Sequence, residues 1–158
     1  MKILVAGATG LVGSALIREL KRENKDVTGI SSKDVNLLNR SKTFEVISEL
    51  KPDVIIDAAA KVGGIMDNIN NPVNFFDDNI LINTNTVKAT YECGVSKFIG
   101  VLSTCIYPDK LKKNDYPISK YAQLPKYKGA FTLTKDIVYQ MTLVYLDKHQ
   151  RIITGEIR

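Results

Sequence analysis

The chain has 158 residues, 44% hydrophobic and 25% charged, with a formal net charge of +5 and a pI near 9.1. That make-up fits one globular domain and excludes a second core, a disordered or low-complexity tract and a repeat architecture. No apolar stretch approaches membrane-spanning length and the opening apolar run is too short for a secretory leader, so the expected setting is the cytoplasm.

In chain order, Lys2 to Ala6 reads as a buried strand that runs directly into Gly7-Ala8-Thr9-Gly10-Leu11-Val12-Gly13 and then an amphipathic helix, Leu11 to Arg22. This strand, glycine turn and helix form a dinucleotide-binding pattern. Gly7 permits the sharp turn, Gly10 lets a pyrophosphate approach the backbone N–H groups at the helix start, and Gly13 lets helix and strand pack closely. Thr9, Leu11 and Val12 complete the turn that would face the pyrophosphate. The G-x-x-G-x-x-G spacing resembles the short-chain dehydrogenase/reductase superfamily.

Val27 to Ser31 is the second strand, Val35 to Leu37 a short third one on the outside, and Arg40 to Leu50 a helix ended by Pro52. Asp53 to Asp57 is a near-continuous apolar strand of the kind buried on both faces. A long helix is expected from Pro72, tolerated in a first turn, to Cys93, with Gly94 as its stop. Phe98 to Ser103 is the next strand, and an excursion from Tyr107 to Gly129 follows. Ala130 to Lys148 has helical apolar spacing, and Ile152 to Ile157 is a final strand suited to a sheet edge. The alternation predicts an α/β fold, a Rossmann-like doubly wound parallel sheet of about six strands with helices on both faces.

Several residues could carry chemistry. At the end of the second strand an acidic side chain would hold the ribose of NAD; here Ser31-Ser32-Lys33 offers two hydroxyls and a cation, which favours NADP, with Asp34 next in line and able to turn inward. Asn36 falls where the adenine edge is expected, and Ala58, Ala59 and Ala60 would line the cofactor through backbone atoms. Ser103 and Cys105 stand at the carboxyl end of a strand, where a hydroxyl could donate to a substrate carbonyl and a thiol could move protons; a small-residue strand end with a buried inert Cys is the lesser alternative. Both Cys93 and Cys105 are expected as thiols. The six lysines between Asp109 and Lys128 are dispersed among prolines and tyrosines, and read as a solvated loop with no specific nucleic-acid module. His149, the one histidine, reads as an exposed residue near a helix end.

Five strings carry a closer resemblance: GATGLVGSA, SSKDVNLL, AAAKVGGI, DNILINTN and LSTCIYPDK. Together they cover most of the chain to Lys110, and they resemble GDP-L-fucose synthase, the NADP-dependent epimerase/reductase acting on GDP-4-keto-6-deoxy-mannose. The resemblance implies a Ser, a Tyr and a Lys for reduction and a Cys and a downstream His for epimerisation. Ser103 and Cys105 match the family's Ser and Cys, and Lys135 matches the Lys of its Tyr-x-x-x-Lys pair, which also touches the cofactor. The Tyr position is Phe131, which has no proton to give an alkoxide. Tyr116 and Lys120 have the same spacing, but Pro117 disfavours the helix they would need.

The family's catalytic His and most of its nucleotide-sugar pocket lie in a second half that this sequence does not contain. The resemblance therefore implies an NADP-binding domain, impaired in catalysis on its own, with the nucleotide sugar either as substrate or as the object of a remnant affinity. It further implies a homodimer through the helices Pro72 to Cys93 and Ala130 to Lys148. Two other readings stay open: an active enzyme, through unusual residues or a second chain, and a non-enzymatic module that senses dinucleotide for a partner.

Overall fold

The computed structural model describes residues 1–102 and 155–156. Its elements are β1 (Lys2–Ala6), α1 (Leu11–Arg22), β2 (Asp26–Ile30), α2 (Arg40–Leu50), β3 (Val54–Asp57), α3 (Ile65–Asn70), α4 (Pro72–Glu92), β4 (Lys97–Leu102) and β5 (Gly155–Glu156). All paired strands are parallel, in the order β2-β1-β3-β4-β5. The chain leaves β1 toward one edge to make β2, then returns past β1 to make β3. That reversal puts a topological switch point at the carboxyl ends of β1 and β3, where open α/β sheets leave a crevice.

The two faces of the sheet follow from the two-residue period of each strand. Ile3 and Val5, Val54 and Ile56, and Ile99 and Val101 point to one side, where Leu16, Ile17 and Leu20 of α1 cover them. Leu4 and Ala6, Ile55 and Phe98 point to the other, under Ile47 of α2 and Val87 and Ala89 of α4. Every residue of β3 is buried, as an interior parallel strand requires.

The helix ends have local causes. The Asn39 side chain accepts the Lys42 N–H at 3.0 Å, capping α2, and Lys51 turns left-handed at φ 46° before Pro52. Pro72 opens α4, Cys93 is its C-cap and a free cysteine, and Gly94 follows at φ 68°.

Two local expectations are corrected. Val35 to Leu37 does not form a strand, so the described sheet has five strands. Several of its backbone groups are already taken: Val35 donates to the Ser31 carbonyl, and the Asn36 carbonyl accepts the Asn39 N–H. Across the cleft wall, Asn85 of α4 donates to the Leu37 and Leu38 carbonyls. With those partners the segment has no ladder to offer β2. The second correction is α3, a short helix that the sequence pattern did not announce. Smaller shifts move β2 to Asp26–Ile30 and β4 to Lys97–Leu102. The helix expected at Ala130 to Lys148 and most of the final strand lie outside the described residues.

Candidate functional site

The first βα turn is built so that nothing larger than glycine fits at two of its positions. Gly7 sits at φ 76°, and a Cβ there would lie 2.7 Å from the Ala58 carbonyl oxygen. A Cβ on Gly13 would come within 2.0 Å of the Gly7 carbonyl oxygen. The α1 start is therefore pressed against the turn, and the turn against the end of β3. Gly10 is the N-cap of α1 in extended conformation, with no side-chain cap and no acidic residue in the first turn. The backbone N–H groups and the positive end of the α1 dipole are thus left open to a ligand.

A cleft of about 740 Å³ opens there, at the switch point. Gly7, Thr9, Gly10, Leu11 and Val12 form its floor, Ser31, Ser32 and Asn36 one rim, and Ala58, Ala59 and Ala60 the other. These eleven are the expected cofactor residues that the fold brings together. Gly13 lies beneath the turn and Lys33 stands exposed beside the rim, neither in the lining. Ser103, Cys105, Phe131, Lys135 and His149 lie outside the described residues.

The rim after β2 is ordered by Asp34. Its carboxylate accepts the Ser31 N–H at 2.8 Å and the Ser31 hydroxyl at 2.7 Å, while the Ser31 Oγ accepts the Lys33 N–H at 3.3 Å. The bonds from the Ser31 hydroxyl and N–H, with a contribution from the Lys33 charge, hold the Asp34 carboxyl below the ordinary carboxylate range. The Asn36 carbonyl oxygen is engaged in its own turn, so its amide N–H groups are what it has to offer a ligand.

The opposite wall holds residues that sequence reasoning missed. Asn79 of α4 is fully buried and grips the backbone of Lys61: its Oδ1 accepts the Lys61 N–H at 2.9 Å and its Nδ2 donates to the Lys61 carbonyl at 2.8 Å. Lys61 itself pairs with Asp78 and stands 5.7 Å from the Phe75 ring centre. Lys61, Val62, Asp78 and Ile82 all line the cleft, with Val35, Leu37 and Leu38 giving an apolar shelf on the other side. Where β3 ends, buried Asp57 accepts the Ala59 N–H at 3.0 Å and so fixes the path of the alanine rim. The spacing of eighteen residues between Lys61 and Asn79 carries no local signal; only the packing of α4 makes the pair.

The donors, the uncapped helix end and the glycine contacts suit a dinucleotide, whose pyrophosphate needs backbone N–H groups at close approach. Among the described residues no cluster of His, Cys, Asp or Glu could hold a metal ion, and no helix is long and apolar enough to cross a membrane.

Comparison with known proteins agrees in fold. A protein of Drosophila melanogaster named "Probable GDP-L-fucose synthase" is 37% identical over 164 residues, which cover 99% of this chain and 50% of that protein. GDP-L-fucose synthase 1 of Arabidopsis thaliana is 40% identical over 108 residues, 68% of this chain and 33% of that protein. The solved GDP-L-fucose synthetase of Naegleria fowleri bound to NADP superposes with a TM-score of 0.78 at 31% identity, over 98% of this chain and 51% of that one. This chain thus spans about half the length of the first of these relatives and of the Naegleria structure. The family model for the NAD dependent epimerase/dehydratase family matches residues 3–156, and the chain belongs to that family.

Proposed function

We propose that this chain holds a nicotinamide dinucleotide, NADP(H) in preference to NAD(H), as the cofactor-binding part of a GDP-L-fucose synthase-like protein. The observation that carries the reading is the uncapped α1 start facing a cleft at the switch point. The pyrophosphate would rest on the N–H groups at the start of α1, Leu11 to Gly13, since the Gly10 N–H already donates to the Gly7 carbonyl, and the adenine on the Val35, Leu37 and Leu38 shelf with the Asn36 amide at its edge. Ser32 and Lys33 give the 2'-phosphate a hydroxyl and a cation. The bound dinucleotide would supply hydride chemistry, for which the chain's own part is orientation and exclusion of water.

A nucleotide sugar of the GDP-4-keto-6-deoxy-mannose type is the second ligand, on the strength of the GDP-sugar relatives. Ser103 would donate to its carbonyl, Cys105 would serve the epimerisation, and Lys135 would act beside Phe131. With Phe131 in place of a phenol, the reduction is impaired by the roughly 10²- to 10⁴-fold that a positioned general acid contributes. The protein is a homodimer through α4 and the helix expected at Ala130 to Lys148.

Two measurements test this. NADPH and NADH are titrated by fluorescence, with NADPH expected to bind more tightly; no binding of either at millimolar concentration refutes the cofactor role. NADPH oxidation with the keto sugar is then compared between the chain and its Phe131→Tyr variant. Turnover at an ordinary enzymatic rate by the unaltered chain refutes the impairment, and sedimentation as a monomer only refutes the dimer.

A further inference from the structure

Among the described residues that line the cleft, Lys61 and Asp78 are the only charged side chains, and they stand side by side on one wall. The Asp78 carboxylate accepts a bond from the Lys61 ammonium, yet both side chains stay within reach of a ligand, at 45% and 26% exposure. Lys61 is held in place. Buried Asn79, next to Asp78 in α4, grips the Lys61 backbone at both its N–H and its carbonyl, and the ammonium lies 5.7 Å from the Phe75 ring centre. An ammonium has three donors and an ionised carboxylate about four lone-pair sites, so their mutual bond exhausts neither. The wall therefore presents a donor and an acceptor next to each other.

Such a pair suits neutral hydroxyls better than a phosphate. A phosphate beside Lys61 would also face the Asp78 charge, and the attraction and repulsion largely cancel. Two neighbouring hydroxyls meet no such conflict, because one accepts from the ammonium while the other donates to the carboxylate. Location points the same way. Asn85 of α4 holds the Leu37 and Leu38 carbonyls at the apolar shelf, and Asp78 lies two turns earlier, ~10 Å along the helix axis. We propose that Lys61 and Asp78 are a diol-binding pair, which takes the vicinal hydroxyls of a sugar lying beyond the pyrophosphate from the adenine shelf. The second ribose of a dinucleotide and the hexose of a nucleotide sugar both carry such a diol. The inference rests on the dinucleotide reading of the cleft.

The test is calorimetric titration of the 158-residue chain and of its Lys61→Met and Asp78→Ala variants with ADP-ribose and with GDP-mannose. Each ligand is compared with the β-methyl ester of ADP or GDP, which matches it in charge and lacks the second sugar. The ratio of the two affinities therefore cancels any effect of the altered charge on the phosphates. Circular dichroism checks the fold, and Lys61→Gln and Asp78→Asn replace a variant that fails to fold. Both variants should reduce the advantage of the sugar-bearing ligand over its methyl ester by roughly ten-fold, the size of one hydrogen bond to a charged group. A loss for ADP-ribose assigns the pair to the dinucleotide's ribose, and a loss for GDP-mannose assigns it to the nucleotide sugar; either supports the proposal.

Ratios within two-fold of wild type for both sugars, in either variant, overturn it. Failure of the unaltered chain to bind NADPH, NADH or ADP-ribose at millimolar concentration overturns the underlying reading instead, and this proposal with it. Dinucleotide binding with unmoved ratios removes only the role of Lys61 and Asp78.

Discussion

Gly13→Ala is the sharpest perturbation of the site, because two known effects oppose each other there. In an ordinary exposed helix the change stabilises by about 1 kcal/mol, since alanine is the better helix former. Here the new Cβ would lie 2.0 Å from the Gly7 carbonyl oxygen and 2.7 Å from its carbon, both backbone atoms. Ordinary contact begins near 3.4 Å, so α1 and the turn must part by more than an ångström. No rotamer change relieves this. Overpacking of about 1–3 kcal/mol applies at its upper end, and it is joined by loosened contacts of Leu16, Ile17 and Leu20 with the sheet. We expect a net loss of about 2 kcal/mol in urea denaturation with an unchanged slope, and at least a ten-fold weaker NADPH titration, because the N–H groups at the helix start move with α1.

Gly10→Ala is the comparison. Its Cβ would stand 3.3 Å from the same oxygen and its backbone is extended, so it should cost about 1 kcal/mol or less, the difference between Gly and Ala as a helix cap. If Gly13→Ala proves as stable as the wild type, or no more harmful than Gly10→Ala, the close-approach argument is wrong.

Other expectations follow from the same structure. Asn79→Ala strands the Lys61 N–H and carbonyl and should cost about 2–3 kcal/mol in thermal or urea unfolding, with looser dinucleotide binding; a loss below about 0.5 kcal/mol would show that the loop finds other partners. The folded-state carboxyl of Asp34 titrates below its unfolded value, so its stabilising contribution is complete above the unfolded value and disappears as pH falls through the folded one. The stability gap between wild type and Asp34→Asn should therefore narrow on going from pH 6 to pH 3, and a gap that widens on acidification contradicts the sign. Phe131→Tyr should raise NADPH-dependent reduction of the keto sugar by roughly 10²-fold or more, read as NADPH absorbance loss.

Much of this architecture was legible from residues because the signals were local. The apolar runs Lys2 to Ala6 and Val54 to Asp57, the amphipathic stripe of α1, and the Pro72 and Gly94 boundaries of α4 each announce their element within a few positions. Val35-Asn36-Leu37 misled because alternation looks the same whether or not the backbone is free to ladder. What decides it is remote: Asn85, some fifty residues on, takes the carbonyls. The helix α3 escaped notice because Ile65, Met66 and Ile69 remain exposed, so it has no buried stripe to betray a period. In the site, the glycine turn and alanine rim were readable for the same local reason. The Lys61, Asp78 and Asn79 wall was not, since it exists only once α4 docks. The commitment of Ser31 to Asp34 was anticipated only as a carboxylate able to turn inward.

The position of β1 in the sheet bears on how the molecule comes to exist. Lys2 to Ala6 pair with β2 on one flank and β3 on the other, and the Asp53 carboxylate accepts the Lys2 N–H at 2.6 Å. β1 is thus interior, and because it precedes both neighbours in sequence it cannot be clasped on both sides until residues 54–57 have left the ribosome. Until then its apolar run is exposed to any passing edge, which is the condition chaperones recognise. Removing Lys2 to Ala6 would take an interior strand out of the sheet and leave β2 without its ladder.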